Sequence, residues 1–157
     1  MAATGPRGHH CLAAWLWGAA LLATGATARA DEAADARDQI SHVATALSEG
    51  SAAGAMAQFD KSYANYDKLR NFFEGLTRAF QIVNEIDIQD ERAEKTQITL
   101  TVHWTLTLTD IQTNYTENRS ADLDIKLIRV KGKWKIGDLQ PVDLFNPAGQ
   151  RVLKPPS

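Results

Sequence analysis

The chain holds one cysteine, Cys11, and it lies within the first thirty residues. Beyond them no disulfide, thiolate nucleophile or Cys-ligated metal is available, so stability must come from a hydrophobic core. Histidine is nearly as scarce. Past residue 30 only His42 and His103 remain, on different predicted elements, which gives no metal-ligand spacing. There is no Gly-rich phosphate loop, no HExxH and no GxSxG. An excess of base is missing too. The first thirty residues carry Arg7 and Arg29 of the seventeen bases and none of the nineteen acids, so the remainder stands at fifteen against nineteen, a balance of −4. Phosphate binding needs a basic footprint, so a nucleic-acid partner is not expected. No metal and no cofactor is expected either.

What is present begins with a leader. MAATGPRGHH has one base and no acid, CLAAWLWGAALLATGA (11–26) is uncharged and apolar, and Ala28-Arg29-Ala30 supplies small residues for a signal peptidase. This three-part pattern predicts a secretory signal peptide over 1–30, cleaved after Ala30, and a secreted or periplasmic protein. An uncleaved anchor needs about 20 apolar residues, more than this run offers, so no stable membrane insertion is expected after cleavage. Cys11 opens the apolar run instead of closing it, which argues against a lipid anchor. Residues 31–157 then form one domain, with an irregular tail from about Pro141.

That domain changes period halfway. Ile40, Val43 and Leu47 recur at helical spacing, predicting a first helix over about 32–47 that ends at Gly50. Ser51 suits the cap of a short second helix through Phe59. A third, about 65–80, carries the stripe Leu69, Phe72, Phe73, Leu76 and Phe80. From residue 82 the period falls to 2. Strands are predicted over about 82–89, 97–109, 115–130 and 133–139, with Asn84 on the apolar side of the first. The second, QITLTVHWTLTLT, puts apolar or aromatic residues from Ile98 to Leu108 on one face. The other face carries Thr99, Thr101, His103, Thr105 and Thr107. Helices covering one face of an antiparallel sheet, with Thr on the open face, explain both halves: an α+β fold.

Registers follow from the turns. Lys131-Gly132 as a two-residue turn pairs Arg129 with Trp134 and Leu127 with Ile136, and places Arg129 against the Trp134 ring. By that parity Leu127, Ile125, Leu123, Ala121, Arg119, Glu117 and Tyr115 point inward. One register sets Arg119 opposite Trp104 and Glu117 opposite Leu106. A neighbouring register shifts each partner by two.

The order of helices and strands, the EGSAAGAMAQFD step and the closing GKWKIGDL strand resemble the nuclear transport factor 2-like superfamily, over about 35–145. That superfamily includes SnoaL-like cyclases and ketosteroid isomerases. The resemblance implies a cone, with N-terminal helices packed on a strongly bent antiparallel sheet and a pocket at the wide end. It also implies dimers through the convex face, and for enzymes an acid, Tyr or His inside the cone. Here the inward row between Ile98 and Leu108 has no titratable group, and the steroid-isomerase set of a Tyr and two acids has no residue-by-residue match.

The polar candidates lie at the mouth. Tyr63, Tyr66, Phe73, Asn84, Trp104, Glu117 and Arg119 are the candidate pocket residues, with Arg119 able to hold an anionic head group and the aromatics an apolar body. The plainer reading is that Glu117 and Arg119 pair in solvent and that Trp104 is core. The function expected is a non-catalytic domain that binds a small apolar or amphiphilic molecule or serves as a protein-interaction module. Its own copy is a candidate partner through the outer sheet face. The alternative is a SnoaL-like enzyme with Asp67 or Glu117 as general base.

Overall fold

The computed structural model describes residues 24–149. Most of the expected signal peptide lies outside the described residues. The elements run α1 (Thr24–Ser48), α2 (Ala52–Met56), α3 (Tyr66–Ala79), β1 (Phe80–Ala93), β2 (Gln97–Asp110), β3 (Thr116–Val130), β4 (Lys133–Gln140) and a closing 3-10 turn, η1 (Val142–Phe145). Among the described residues no helix is long and apolar enough to cross a membrane.

The strands form one curled antiparallel sheet in the order β1-β2-β3-β4. The period-2 pattern of β2 decides its faces. Ile98, Leu100, Val102, Trp104, Leu106 and Leu108 are at most 1% exposed, and the alternating residues are half-buried. Each such side chain contributes about 1.5–3 kcal/mol relative to an exposed one. The helices cover this face through Ile40, Val43 and Leu47 of α1, Met56 of α2, and Leu69, Phe73 and Leu76 of α3.

Several local expectations shift. Helix α1 begins at Thr24, ahead of the predicted start near residue 32. Ser51 does cap α2, its hydroxyl accepting from the Gly54 N–H at 3.0 Å, but the helix stops at Met56. Phe59 instead bridges to Ile136, with Asp60 N–H donating to Ile136 O and Ile136 N–H to Gln58 O. Strand β1 continues past a bulge between Ile88 and Asp90 to Ala93. The extra residue reverses parity, so Glu91 reaches the helical side and pairs with Arg37 of α1 at 2.7 Å.

The β3–β4 turn has the predicted register, Arg129 opposite Trp134 and Leu127 opposite Ile136, with Lys131 and Gly132 both at positive φ. Arg129 lies 4.9 Å from the Trp134 ring centroid. The β2–β3 pair takes the second register considered: Arg119 faces Leu106 and Glu117 faces Leu108. Tyr115 is a correction. It precedes β3 and is 70% exposed, because the turn extends to it: Asp110 N–H donates to Tyr115 O, and the Asp110 carboxylate accepts from the N–H groups of Gln112 and Thr113.

The expected irregular tail is ordered where it matters. Val142, Leu144 and Phe145 of η1 are buried, the last two fully. The turn folds back over the concave face of the sheet.

Candidate functional site

The wide end of the cone is where a pocket is expected, and its residues come from five elements, β1, β2, β3, α3 and η1. Trp104 on β2 is 1% exposed, and its indole N–H donates to Asn84 Oδ1 at 3.0 Å. Asn84 on β1 donates in turn to Ala44 O and Ser48 Oγ of α1, each at 2.9 Å. Both ends of the Asn84 amide are therefore engaged, which ties sheet to helix. Phe73 on α3 is fully buried. Between Phe73 and Trp104 sits Phe145, edge-on to both, with ring centroids 5.2 Å and 5.3 Å away. Such edge-to-face geometry is the favoured one for aromatic pairs. The chain's own C-terminal segment thus occupies the space among the aromatic candidates.

Arg119 and Glu117 close the same end. The Arg119 side chain is only 8% exposed. Its guanidinium donates to Asn146 O at 2.5 Å, to Leu144 O at 3.4 Å and to Glu117 Oε1 at 2.6 Å. The fork expected to hold an anionic head group holds the backbone that follows β4. Glu117 is about one third exposed and takes its charge partner from Arg119.

Tyr63, Tyr66 and Asp67 lie elsewhere. They line a surface hollow of about 400 Å³ with Lys61 and Arg70. Tyr63 is 4% exposed and its hydroxyl donates to Leu139 O at 2.6 Å. Burial raises its phenol above the ordinary value. The Asp67 side chain is 81% exposed and pairs with Arg70 at 3.2 Å. The seven candidates and Asp67 therefore divide among three places: the packed interior, the tail clamp and a surface hollow.

Two further concavities lie outside the cone. One, of about 560 Å³, runs between α1 and the start of β4. The other, of about 450 Å³, involves Arg92, Thr99, Thr101, Asp124 and Asp138. On the outer face, His103 Nδ1 lies 2.6 Å from Asp122 Oδ1, and Thr101 and Thr107 donate to Asp124 and Asn118. Among the described residues no group of three or more His, Cys, Asp or Glu could hold a metal ion.

Sequence reasoning missed η1 and the groove beside α1. The signal for the first was VDLF, three apolar residues in four between Pro141 and Pro147. The signal for the second was the helical spacing of Asp35, Asp38, Gln39 and His42.

Comparison with solved structures places this geometry. A scytalone dehydratase-like protein from Novosphingobium aromaticivorans superposes with a TM-score of 0.65 at 12% identity, over 73% of this chain and 85% of that one. A ketosteroid isomerase-like protein from Erwinia carotovora atroseptica gives 0.59 at 12%, over 69% and 93%. A calcium/calmodulin dependent protein kinase II association domain-like protein from Xanthomonas campestris gives 0.58 at 19%, over 75% and 89%. The fold is nuclear transport factor 2-like. At these identities the likeness carries the fold alone, and the neighbours' functions differ from one another. No protein-family model matches the sequence, and no curated protein matches it.

Proposed function

We propose that this nuclear transport factor 2-like chain is an exported, non-catalytic interaction module that acts through its outside. The observation that carries this reading is Phe145, fully buried between Phe73 and Trp104 where a ligand of the cone would sit. A small apolar or amphiphilic partner reaches that space only by displacing η1. Export rests on the leader over 1–30 and its Ala28-Arg29-Ala30 site. Self-association through the outer sheet face is one interaction the reading includes.

The enzyme alternative needs a carboxylate within reach of a closed pocket, with its acidity tuned by burial. Asp67 is exposed and paired with Arg70, and Glu117 is paired with Arg119 beside the tail. Neither arrangement supports a general base, so the interaction reading is preferred.

Native mass spectrometry of protein purified from its own secretory compartment tests this reading. It should report a chain beginning at Asp31 with no retained small molecule. A stoichiometric ligand that survives purification, and is lost on Phe73→Ala, would overturn it.

A further inference from the structure

The groove between α1 and β4 holds features that packing alone does not explain. One wall is a single helical face: Asp35, Asp38, Gln39 and His42 stand at i, i+3, i+4 and i+7. The other wall is Lys133 and Trp134, just after the Lys131-Gly132 turn. Trp134 is 6% exposed, and Arg129 covers one face of its ring. Two buried polar atoms of this groove's lining residues have no hydrogen-bond partner: the indole N–H donor of Trp134 and the amide oxygen acceptor of Gln39. They are the two such side-chain atoms found among the described residues. Buried polar groups are nearly always paired, so an orphaned donor and an orphaned acceptor in one groove call for a reason.

The charges around them are also uncommitted. Among the described residues neither Asp35, Asp38 nor Lys133 forms an ion pair, whereas Glu32 pairs with Arg129 and Lys135 donates to Ala57 O. The helical wall offers carboxylates and a carbonyl oxygen, which want N–H donors. The strand wall offers an indole N–H and an ammonium, which want an acceptor. The complement is a molecule with an ammonium at one end and a carboxylate at the other.

We propose that this groove binds a small zwitterion of amino-acid or dipeptide size, its ammonium on Asp35, Asp38 and Gln39 Oε1 and its carboxylate on Trp134 Nε1 and Lys133. The orphaned atoms are buried, and both belong to residues that line the groove. Contact with the ligand requires these side chains to shift, and Gln39 has alternative staggered rotamers for doing so. Charge-assisted hydrogen bonds at each end supply the affinity. The volume, about 560 Å³, falls within the range of small-molecule sites. The groove lies outside the cone, so the inference goes beyond the function proposed above and stands whether or not the cone opens.

The test follows the indole N–H signals of the 15N-labelled chain, with the Trp134 signal assigned by its loss in Trp134→Phe. Titration with glycylglycine should move the Trp134 proton downfield and saturably, while the Trp104 proton, already bonded to Asn84, stays in place. Acetate or methylammonium alone at the same concentration should leave Trp134 where it is. Asp38→Asn and Lys133→Gln, both at exposed positions, should each weaken binding by about tenfold, the loss of one charge-assisted contact. Two results would overturn the proposal. One is no saturable shift with glycylglycine or L-alanine up to about 10 mM, a weaker-than-millimolar limit. The other is an apo Trp134 signal that Gln39→Leu moves upfield, which would make Gln39 itself the indole's partner.

Discussion

Arg119 gathers the carbonyls of Leu144 and Asn146 and the carboxylate of Glu117 onto one guanidinium. Arg119→Leu keeps an apolar stem but leaves those oxygens without their donor. The expected loss is about 2–3 kcal/mol, the worth of hydrogen bonds to a charged group, discounted because Glu117 is partly solvated. Limited proteolysis should then cut after residue 140 sooner than in the parent chain. Tyr63 gives a prediction in pH. Its phenol is raised by burial above the usual 10.0, so the folded state favours the protonated form. That contribution is complete below the unfolded value and is lost as pH rises through the raised folded value. Tyr63→Phe should cost about 1 kcal/mol at neutral pH, where Leu139 O loses its donor. It should also remove part of the stability lost above about pH 10. Urea unfolding of both proteins at neutral and alkaline pH reads the difference.

At the scale of elements, the contact between α3 and the end of the chain decides the shape of the interior. A Cβ at Gly75 would lie 2.5 Å from Pro147 Cγ, so Gly75→Ala forces α3 and the tail apart. It should destabilise by about 1–3 kcal/mol, the usual range for an overpacked contact, in thermal or urea unfolding. Phe145→Ala, which empties the centre of the cone, should cost more, about 3–5 kcal/mol. Here the limits of the sequence become physical. Strand β2 was legible because six inward residues repeat without exception over the length of one strand. Asn84 was legible as inward by the same rule. The β2–β3 register was narrowed to two choices but not chosen, because the turn's length depends on Asp110 capping Gln112 and Thr113. The parity of β1 beyond Ile88 was hidden by a bulge, which has no period. The tail was hidden because four residues are too few for one, and with it went the clamp on Arg119 and the packing of Phe73 and Trp104 on Phe145.

For the whole molecule, the outer face of the sheet is open and acidic. Glu85 and Asp87 of β1 and Asp122 and Asp124 of β3 flank the β2 row of Thr101, His103 and Thr105. A two-fold dimer through this face brings like charges together, with Lys126 as partial compensation. Self-association there should therefore strengthen as salt is raised from about 0.05 to 0.5 M, where screening shortens the reach of the repulsion to a few ångströms. Light scattering after size exclusion measures this, and a dimer that weakens with salt would point to a different, charge-paired interface. The central claim concerns the inside: residues 142–145 close the cone. Fluorescence titration of the intact chain with an apolar probe such as N-phenyl-1-naphthylamine tests it most directly. The closed interior predicts no saturable uptake at micromolar probe. Tight, stoichiometric uptake by the unaltered protein, competing with no change at η1, would contradict it.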